Sequence, residues 1–146
     1  MELIDGESLS DSIKDAPFSL EDAIKVAGEI GEALQAAHEK EIVHRDVKSA
    51  NVMLTSKRRA KVLDFGLAKT NQSTQLTRMG STLGTIAYMS PEQAQGQAVD
   101  HRTDIWALGC VFYEMIIGQH PFGGDYEQAV VYSILNEAPK TLPGTH

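Results

Sequence analysis

A run of apolar residues between Thr103 and Gly118 places the strongest constraint on how this chain folds. Taken as a helix, the run is apolar on nearly every side, and a helix of that kind must be surrounded by other elements. Gly118 is a typical residue at a helix C-terminus, and Pro121 prevents continuation. We therefore predict a helix in the middle of the domain. Its apolar residues are Ile105, Trp106, Leu108, Val111, Phe112, Met115 and Ile116.

Two amphipathic helices are predicted in addition to the central one. The first begins after Ser19, a suitable N-cap, and Asp22 three residues later gives an acidic variant of the capping box. The second runs from Asp125, as its cap, to about Asn136. In the first helix the apolar residues that recur at helical spacing are Ile24, Ala27, Ile30, Leu34 and Ala37.

The β structure is predicted to be short and to lie mainly within residues 42–64. Three β-prone pieces, 42–43, 51–54 and 60–63, alternate there with polar turns. The turn at 55–59 fits a small hairpin, and residues 1–6 resemble a strand end that runs into a turn. Residues 70–84 are polar and aperiodic, as in long loops that are functional or disordered. The expected fold class is α+β, mainly α.

The size and charge of the chain narrow the classes of partner. Its 146 residues suffice for one domain with an apolar core. The net charge of −7 predicts repulsion of nucleic acid and anionic lipid, so we expect no nucleic-acid partner and no membrane contact from these residues. One basic cluster is too short for a nucleic-acid surface and is interpreted as a solvated turn. It consists of Lys57, Arg58, Arg59 and Lys61.

The single cysteine, Cys110, cannot form an internal disulfide, which favours a reducing, cytoplasmic location. Because Cys110 lies inside the apolar run, we interpret it as a small buried hydrophobe rather than a nucleophile. No apolar stretch approaches the ~20 residues that a membrane-spanning helix needs. A membrane anchor outside this segment is compatible with the sequence.

The strongest functional signal is the stretch His44-Arg45-Asp46-Val47-Lys48-Ser49-Ala50-Asn51, together with Asp64-Phe65-Gly66 thirteen residues after its end. Phosphoryl transfer requires a carboxylate for the attacking hydroxyl, a cation beside the phosphate and hard oxygen ligands for magnesium. Asp46 and Lys48 suit the first two roles, and they alternate along an extended loop so that both can face one side. Asn51 opens the predicted hairpin and Asp64 closes it, which returns the two oxygen ligands to one edge.

These motifs resemble those of the protein kinase family. The catalytic-loop pattern H-R-D-x-K-x-x-N matches within residues 44–51, and D-F-G matches at 64–66. The family's P-E motif is present as Ser90-Pro91-Glu92, and residues 104–109 look like the start of the family's central buried helix. Lys48 resembles the lysine of serine/threonine kinases, and residues 62–69 and 88–93 look like the eukaryotic-like kinases of bacteria. The resemblance extends over almost the whole chain.

The resemblance implies a serine/threonine protein kinase that uses ATP and Mg²⁺ and acts on proteins with Ser or Thr acceptors. Asp46 would accept or orient the substrate hydroxyl, and Lys48 would meet the γ-phosphate. Thr85 would bond to both of these side chains, as in the family's substrate-docking loop. Asn51 and Asp64 would hold the metal.

The resemblance also implies contacts with the nucleotide and a site of regulation. Backbone atoms of Glu2 and Ile4 would pair with the adenine edge, with Met1 beside it and Met53 beneath it. For Met1 the sequence supports an initiator methionine as well as a nucleotide contact. For Met53 it supports an ordinary core residue as well as a nucleotide contact. Arg45 beside the catalytic Asp implies activation by phosphorylation of the polar loop. The candidate acceptors are Thr77, Ser81 and Thr82.

The chain departs from the family pattern in two ways. Ser49 stands where these kinases commonly have Pro, and we expect looser packing there because a fixed φ is lost. No G-x-G-x-x-G and no V-A-I-K strand occur in the chain, so we expect the β-rich N-terminal lobe upstream. Residues 1–8 would then be the hinge and residues 9–146 an incomplete C-terminal lobe.

Three hypotheses account for these departures. The chain is a fragment of an active kinase and is inactive alone, or it is a pseudokinase-like or stand-alone module that holds a protein partner, or it is a decayed remnant. The first is favoured because a pure binding module has no physical need for the complete set Asp46, Lys48, Asn51 and Asp64.

Overall fold

The structure, a computed structural model, describes residues 5–65 and 83–142. In chain order the elements are β1 (Gly6–Ser8), α1 (Leu9–Asp15), α2 (Leu20–Glu39), a 3-10 helix (Ser49–Asn51), β2 (Val52–Thr55), β3 (Ala60–Val62), α3 (Leu83–Ile86), α4 (Pro91–Ala94), α5 (Arg102–Ile117) and α6 (Glu127–Asn136). The described part is mainly helical with one small sheet, which confirms the predicted class.

Helices α2 and α5 pack against each other in the core of the described part. Helix α5 ends as predicted, with Gly118 in the left-handed conformation (φ 82°) and its N–H bonded to the Glu114 carbonyl. Burial all round the helix was expected and is wrong at Ile105, which is 55% exposed. The buried side of α5 instead includes two acids, Asp104 and Glu114.

Helix α2 begins at the predicted cap, where the Ser19 hydroxyl accepts the Asp22 N–H at 3.1 Å. Its buried face is Ala23, Val26, Ile30, Leu34 and Ala37. The predicted apolar stripe is therefore right in the second half of the helix. It is wrong at Ile24, which is exposed, because the face that meets the core begins at its neighbour Ala23.

Strands β1, β2 and β3 form an antiparallel sheet in that order. The predicted hairpin joins β2 to β3, and the Thr55 N–H donates to the Arg59 carbonyl at 2.9 Å across its turn. The predicted strand at 42–43 is not formed, because the Ile42 N–H instead donates to the Ala37 carbonyl at the end of α2. Gly6 pairs with Thr55 at φ 155°, where an added Cβ would lie 1.8 Å from the Leu54 carbonyl oxygen. Only glycine permits this approach.

The hairpin turn is tied to α2 by its basic residues. Glu29 accepts the Ala60 N–H at 2.9 Å and also forms an ion pair with Arg59. The Arg58 guanidinium lies 5.6 Å from the ring centroid of Phe18. The basic turn is exposed, as predicted, and in addition it fixes the hairpin that leads to Asp64.

The short helices α1, α3 and α4 were not predicted. Helix α6 begins later than expected: its N-cap is Tyr126 rather than Asp125, and no side chain caps it. The cap of α4 was readable, because Ser90 and Gln93 form a reciprocal capping box. Of the predicted loop 70–84, residues 83 and 84 belong to α3, and the remainder lies outside the described residues.

Candidate active site

The loop at residues 44–51, here called the catalytic loop, is attached to α5 through a buried carboxylate. Asp104, 1% exposed, accepts the backbone N–H groups of His44 and Arg45, each at 2.8 Å. Its Oδ2 also lies 2.8 Å from Nε2 of His38. Arg45 has a left-handed backbone (φ 73°), which costs roughly 1–3 kcal/mol in a residue other than glycine. These bonds, and the bond from Gln93 Nε2 to the Arg45 carbonyl at 2.9 Å, offset that cost.

His44 links the start of the catalytic loop to the strand that precedes Asp64. Its Nδ1 accepts the Asp46 N–H at 3.1 Å, so Nδ1 carries no proton. The proton therefore lies on Nε2, which donates to the Leu63 carbonyl at 2.7 Å. The imidazole ring also meets the edge of Phe65 with 4.7 Å between ring centroids. Buried His44 thus fixes the position of the Asp46 backbone, and with it the position of the Asp46 side chain.

The predicted transfer residues Asp46, Lys48, Asn51 and Thr85 come together on one side of the loop. Lys48 Nζ lies 3.7 Å from the Asp46 carboxylate and donates to the Thr85 hydroxyl at 3.1 Å. Asn51 Nδ2 donates to the Asp46 carbonyl at 2.9 Å and lies 3.4 Å from its Oδ2. The predicted bond between Thr85 and Lys48 is confirmed, and the one to Asp46 stays a prediction. The Asp46 side chain remains 53% exposed and open to a substrate.

The hairpin brings Asp64 back to the end of the catalytic loop. The Leu63 N–H donates to the Asn51 carbonyl at 2.8 Å, and the next residue, Asp64, is exposed with a left-handed backbone (φ 65°). Since the Asn51 amide nitrogen is engaged by Asp46, the side-chain oxygen is the atom that Asn51 offers to a ligand. One amide oxygen and one carboxylate fit Mg²⁺, which completes its shell with water and phosphate oxygens.

Ser49 is packed more tightly than expected. It is 2% exposed, its hydroxyl lies 2.9 Å from the Tyr88 hydroxyl, and it donates to Glu114 Oε2 at 3.1 Å. The Tyr88 hydroxyl donates to the other oxygen of Glu114. The expectation of looser packing is therefore wrong, because side-chain hydrogen bonds hold this position where a proline ring is commonly found.

The comparisons with known proteins agree with this geometry. The model of the family described as "Protein kinase domain" matches residues 1–143. The chain belongs to the protein kinase family. This kinase chain is 42% identical over 141 residues to "Serine/threonine-protein kinase PknB" of Mycobacterium leprae, which covers 95% of the chain and 23% of the relative.

Two further relatives carry similar names. The chain is 43% identical over 142 residues to "Probable serine/threonine-protein kinase PknB" of Corynebacterium glutamicum, which covers 95% of the chain and 22% of the relative. It is 40% identical over 142 residues to "Serine/threonine-protein kinase PknB" of Mycobacterium tuberculosis H37Rv, with coverage of 95% and 23%. The chain thus spans about a quarter of the length of the curated relatives it matches.

Not every predicted site residue of this kinase chain can be placed. Met53 is half-buried in β2, opposite Ser8 on one side and Lys61 on the other. Six predicted residues lie outside the described residues: Met1, Glu2 and Ile4 at the predicted nucleotide edge, and Thr77, Ser81 and Thr82 among the predicted acceptors.

Sequence reasoning missed the side chains that anchor the catalytic loop of this kinase chain to the rest of the domain. Asp104 was seen only as the start of a buried helix, although an acid inside an apolar run signals a buried acceptor. Glu114 gives the same signal ten residues later. Gln93 was findable through its capping box, whereas no local pattern shows that its side chain reaches the Arg45 carbonyl.

The interpretation of Cys110 as a small buried hydrophobe rather than a nucleophile is supported. Cys110 is buried, and burial together with the nearby Glu114 raises the pKa of its thiol to about 12, so it is a poor nucleophile at neutral pH. Within residues 5–65 and 83–142, no three His, Cys, Asp or Glu side chains are grouped to hold a metal ion by themselves. No helix in the same ranges is long and apolar enough to cross a membrane.

Proposed function

We propose that the protein to which this chain belongs is a serine/threonine protein kinase that transfers the γ-phosphate of ATP to Ser and Thr hydroxyls of proteins. The observation that carries the proposal is the convergence of Asp46, Lys48, Asn51 and Thr85 on one side of a loop whose backbone is held by Asp104. An assembled and open carboxylate–ammonium pair is what phosphoryl transfer needs from a protein.

Asp46 is proposed to orient the substrate hydroxyl and to accept its proton. Its exposed carboxylate stands beside Lys48 Nζ at 3.7 Å, so a hydroxyl bound at Asp46 lies close to the cation. Lys48 offsets charge on the transferring group, and its bond to Thr85 keeps the ammonium in that position. A positioned general base of this kind contributes roughly 10²–10⁴ in rate.

Asn51 and Asp64 are proposed as the protein's ligands for Mg²⁺. The bond from Asn51 Nδ2 to the Asp46 carbonyl orients the amide so that its oxygen is available, and Asp64 is exposed at the adjacent edge. The metal, when bound, offsets the negative charge of the ATP phosphates. ATP and a divalent metal are used generally in the protein kinase family, and the assignment to these two residues is our proposal.

Residues 1–8 are proposed as the hinge and residues 9–146 as part of a C-terminal lobe, with a β-rich lobe upstream. Met1, Glu2 and Ile4 would then meet the adenine edge and Met53 its lower face. The half-buried position of Met53, two residues after Asn51, supports this assignment. We also propose a cytoplasmic location for this segment, supported by its single, buried cysteine.

Phosphorylation at Thr77, Ser81 or Thr82 is proposed to activate the kinase through Arg45. The Arg45 backbone is held at both its N–H and its carbonyl, by Asp104 and Gln93. A guanidinium on a fixed backbone clasps a phosphate with less loss of entropy than one on a mobile loop.

The proposal is tested with a joined chain, in which the part of the Mycobacterium leprae relative that precedes the matched region is fused in front of these 146 residues. Asp46→Ala should reduce phosphorylation of a Ser/Thr peptide by at least about 10². Asp15→Ala, which changes an exposed acid at the end of α1, is the matched control and should retain wild-type activity. Peptide labelling by the Asp46→Ala chain at the rate of the unsubstituted joined chain would show that the assigned role is wrong.

A further inference from the structure

The hydroxyl of Ser49 joins three separate parts of the domain. It belongs to the catalytic loop, it contacts the Tyr88 hydroxyl just after α3, and it donates to Glu114 near the end of α5. The side chain lies in the interior, where a polar group without a partner is costly. The contacts with Tyr88 and Glu114 therefore give the buried Ser49 hydroxyl the polar partners that it needs.

Glu114 is the acceptor that holds the other two side chains together. Each hydroxyl carries one hydrogen, and the hydrogens of Ser49 and Tyr88 both go to the Glu114 carboxylate. A tyrosine hydroxyl is protonated at neutral pH, and burial and the neighbouring carboxylate raise the pKa of Tyr88 above its usual range, so it remains a donor at alkaline pH as well. Glu114 is 9% exposed, and loss of one hydroxyl leaves a buried oxygen without its donor.

Two consecutive residues of the catalytic loop contact residues 83–88. Lys48 donates to Thr85, and Ser49 contacts Tyr88. The first contact is partly buried and includes a side chain that is proposed to take part in transfer, whereas the second is fully buried. The second therefore provides the attachment that does not depend on substrate.

We propose that Ser49 is a positioning residue that holds residues 83–88 against the catalytic loop through Tyr88 and Glu114. Proline, common at this position in kinases of this kind, has no hydroxyl, so the attachment belongs to this chain's own departure from the pattern. The consequence for catalysis rests on the proposed function and on the resemblance of Gly84, Thr85 and Tyr88 to the family's substrate-docking loop. The attachment itself does not rest on that function.

Hydrogen exchange of the 146-residue chain tests the attachment. The N–H groups of residues 87, 88 and 89 donate to carbonyls at 83, 85 and 86, and in Ser49→Ala they should exchange about tenfold faster. Tyr88→Phe should give the same local change, and the double variant should change less than the product of the two single effects. Ser12→Ala, which removes a similarly buried hydroxyl from α1, should leave these three N–H groups unchanged.

Two results would overturn the proposal: exchange at 87–89 that is the same in Ser49→Ala as in the wild type, or an acceleration that is equally large in α2. In the joined chain, Ser49→Ala should raise KM for the peptide severalfold and leave KM for ATP unchanged. Equal changes in both KM values would assign Ser49 a general structural role instead. Because exchange requires no phosphoryl transfer, failure of the proposed function would leave the exchange result intact.

Discussion

Helix α5 carries two buried acids, and each holds a different end of the catalytic loop. Asp104 accepts two backbone N–H groups at the start of the loop, whereas Glu114 accepts the hydroxyls of Ser49 and Tyr88 near its end. A backbone N–H can only donate, but a hydroxyl can donate or accept. The Asp104 end is therefore specific for a carboxylate, and the Glu114 end can adjust to a different acceptor.

Substitution of Asp104 by asparagine provides the strongest test of this difference. The amide nitrogen of the new side chain would face backbone donors that cannot reverse, which leaves buried groups unsatisfied. We expect Asp104→Asn to lower the free energy of unfolding by about 2–4 kcal/mol, measured by urea denaturation of the 146-residue chain. A loss below about 1 kcal/mol would show that the two bonds at 2.8 Å do not hold the loop.

Alkaline pH should lower the free energy of unfolding through two groups beside Glu114, namely Cys110 and Tyr88. The pKa of Cys110 is raised in the folded chain to about 12, whereas the unfolded chain releases this proton near pH ~8.5. The protonated Cys110 thiol therefore makes its full contribution to the free energy of unfolding below about pH 8.5. That contribution is lost as the pH rises toward about 12. The raised pKa of Tyr88 acts in the same direction above about pH 10.

Urea denaturation between about pH 8 and pH 10 separates these groups. In this range the thiol titrates in the unfolded chain before tyrosine does. In Cys110→Ala, the free energy of unfolding should therefore fall less steeply with rising pH than in the wild type. Identical slopes for the wild type and Cys110→Ala would exclude the buried thiol as a source of the pH dependence.

Glu114→Gln should have a smaller effect than Asp104→Asn, although both replace a buried carboxylate by an amide. One hydroxyl can keep donating to the Gln oxygen while the other turns to accept from its nitrogen. We expect a loss of at most about 1 kcal/mol in the same denaturation experiment. A loss equal to that of Asp104→Asn would contradict the distinction between backbone and hydroxyl donors.

Asp64→Asn also replaces a carboxylate by an amide, but it should leave the free energy of unfolding unaltered because the Asp64 carboxylate is exposed. In the joined chain, however, Asp64→Asn should weaken Mg·ATP binding more than Asn51→Ala, since a carboxylate offsets the charge of the ion and an amide does not. Calorimetric titration measures both affinities. The reverse order would refute the assignment of Asp64 as the dominant ligand.

Much of the fold and of the site followed from local patterns in the sequence. The Ser19 cap, the hairpin turn and the Gly118 stop are decided by neighbouring residues, and their predictions were right. The motif at 44–51 likewise predicted which side chains meet, because its spacing is short. Contacts between distant residues were not predictable in this way. His44 and Asp104 are 60 residues apart, and tight packing of Ser49 depends on Tyr88 and Glu114, which only the tertiary fold brings together.

The central claim is that these residues supply the transfer half of a kinase site, and radiolabelled ATP tests it most directly. The 146-residue chain alone contains no glycine-rich phosphate loop and should label a Ser/Thr peptide only at background. The joined chain should label the peptide well above background, and Asp46→Ala should remove that signal. A silent joined chain that binds Mg·ATP normally, or robust Asp46-dependent labelling by the 146 residues alone, would contradict the account.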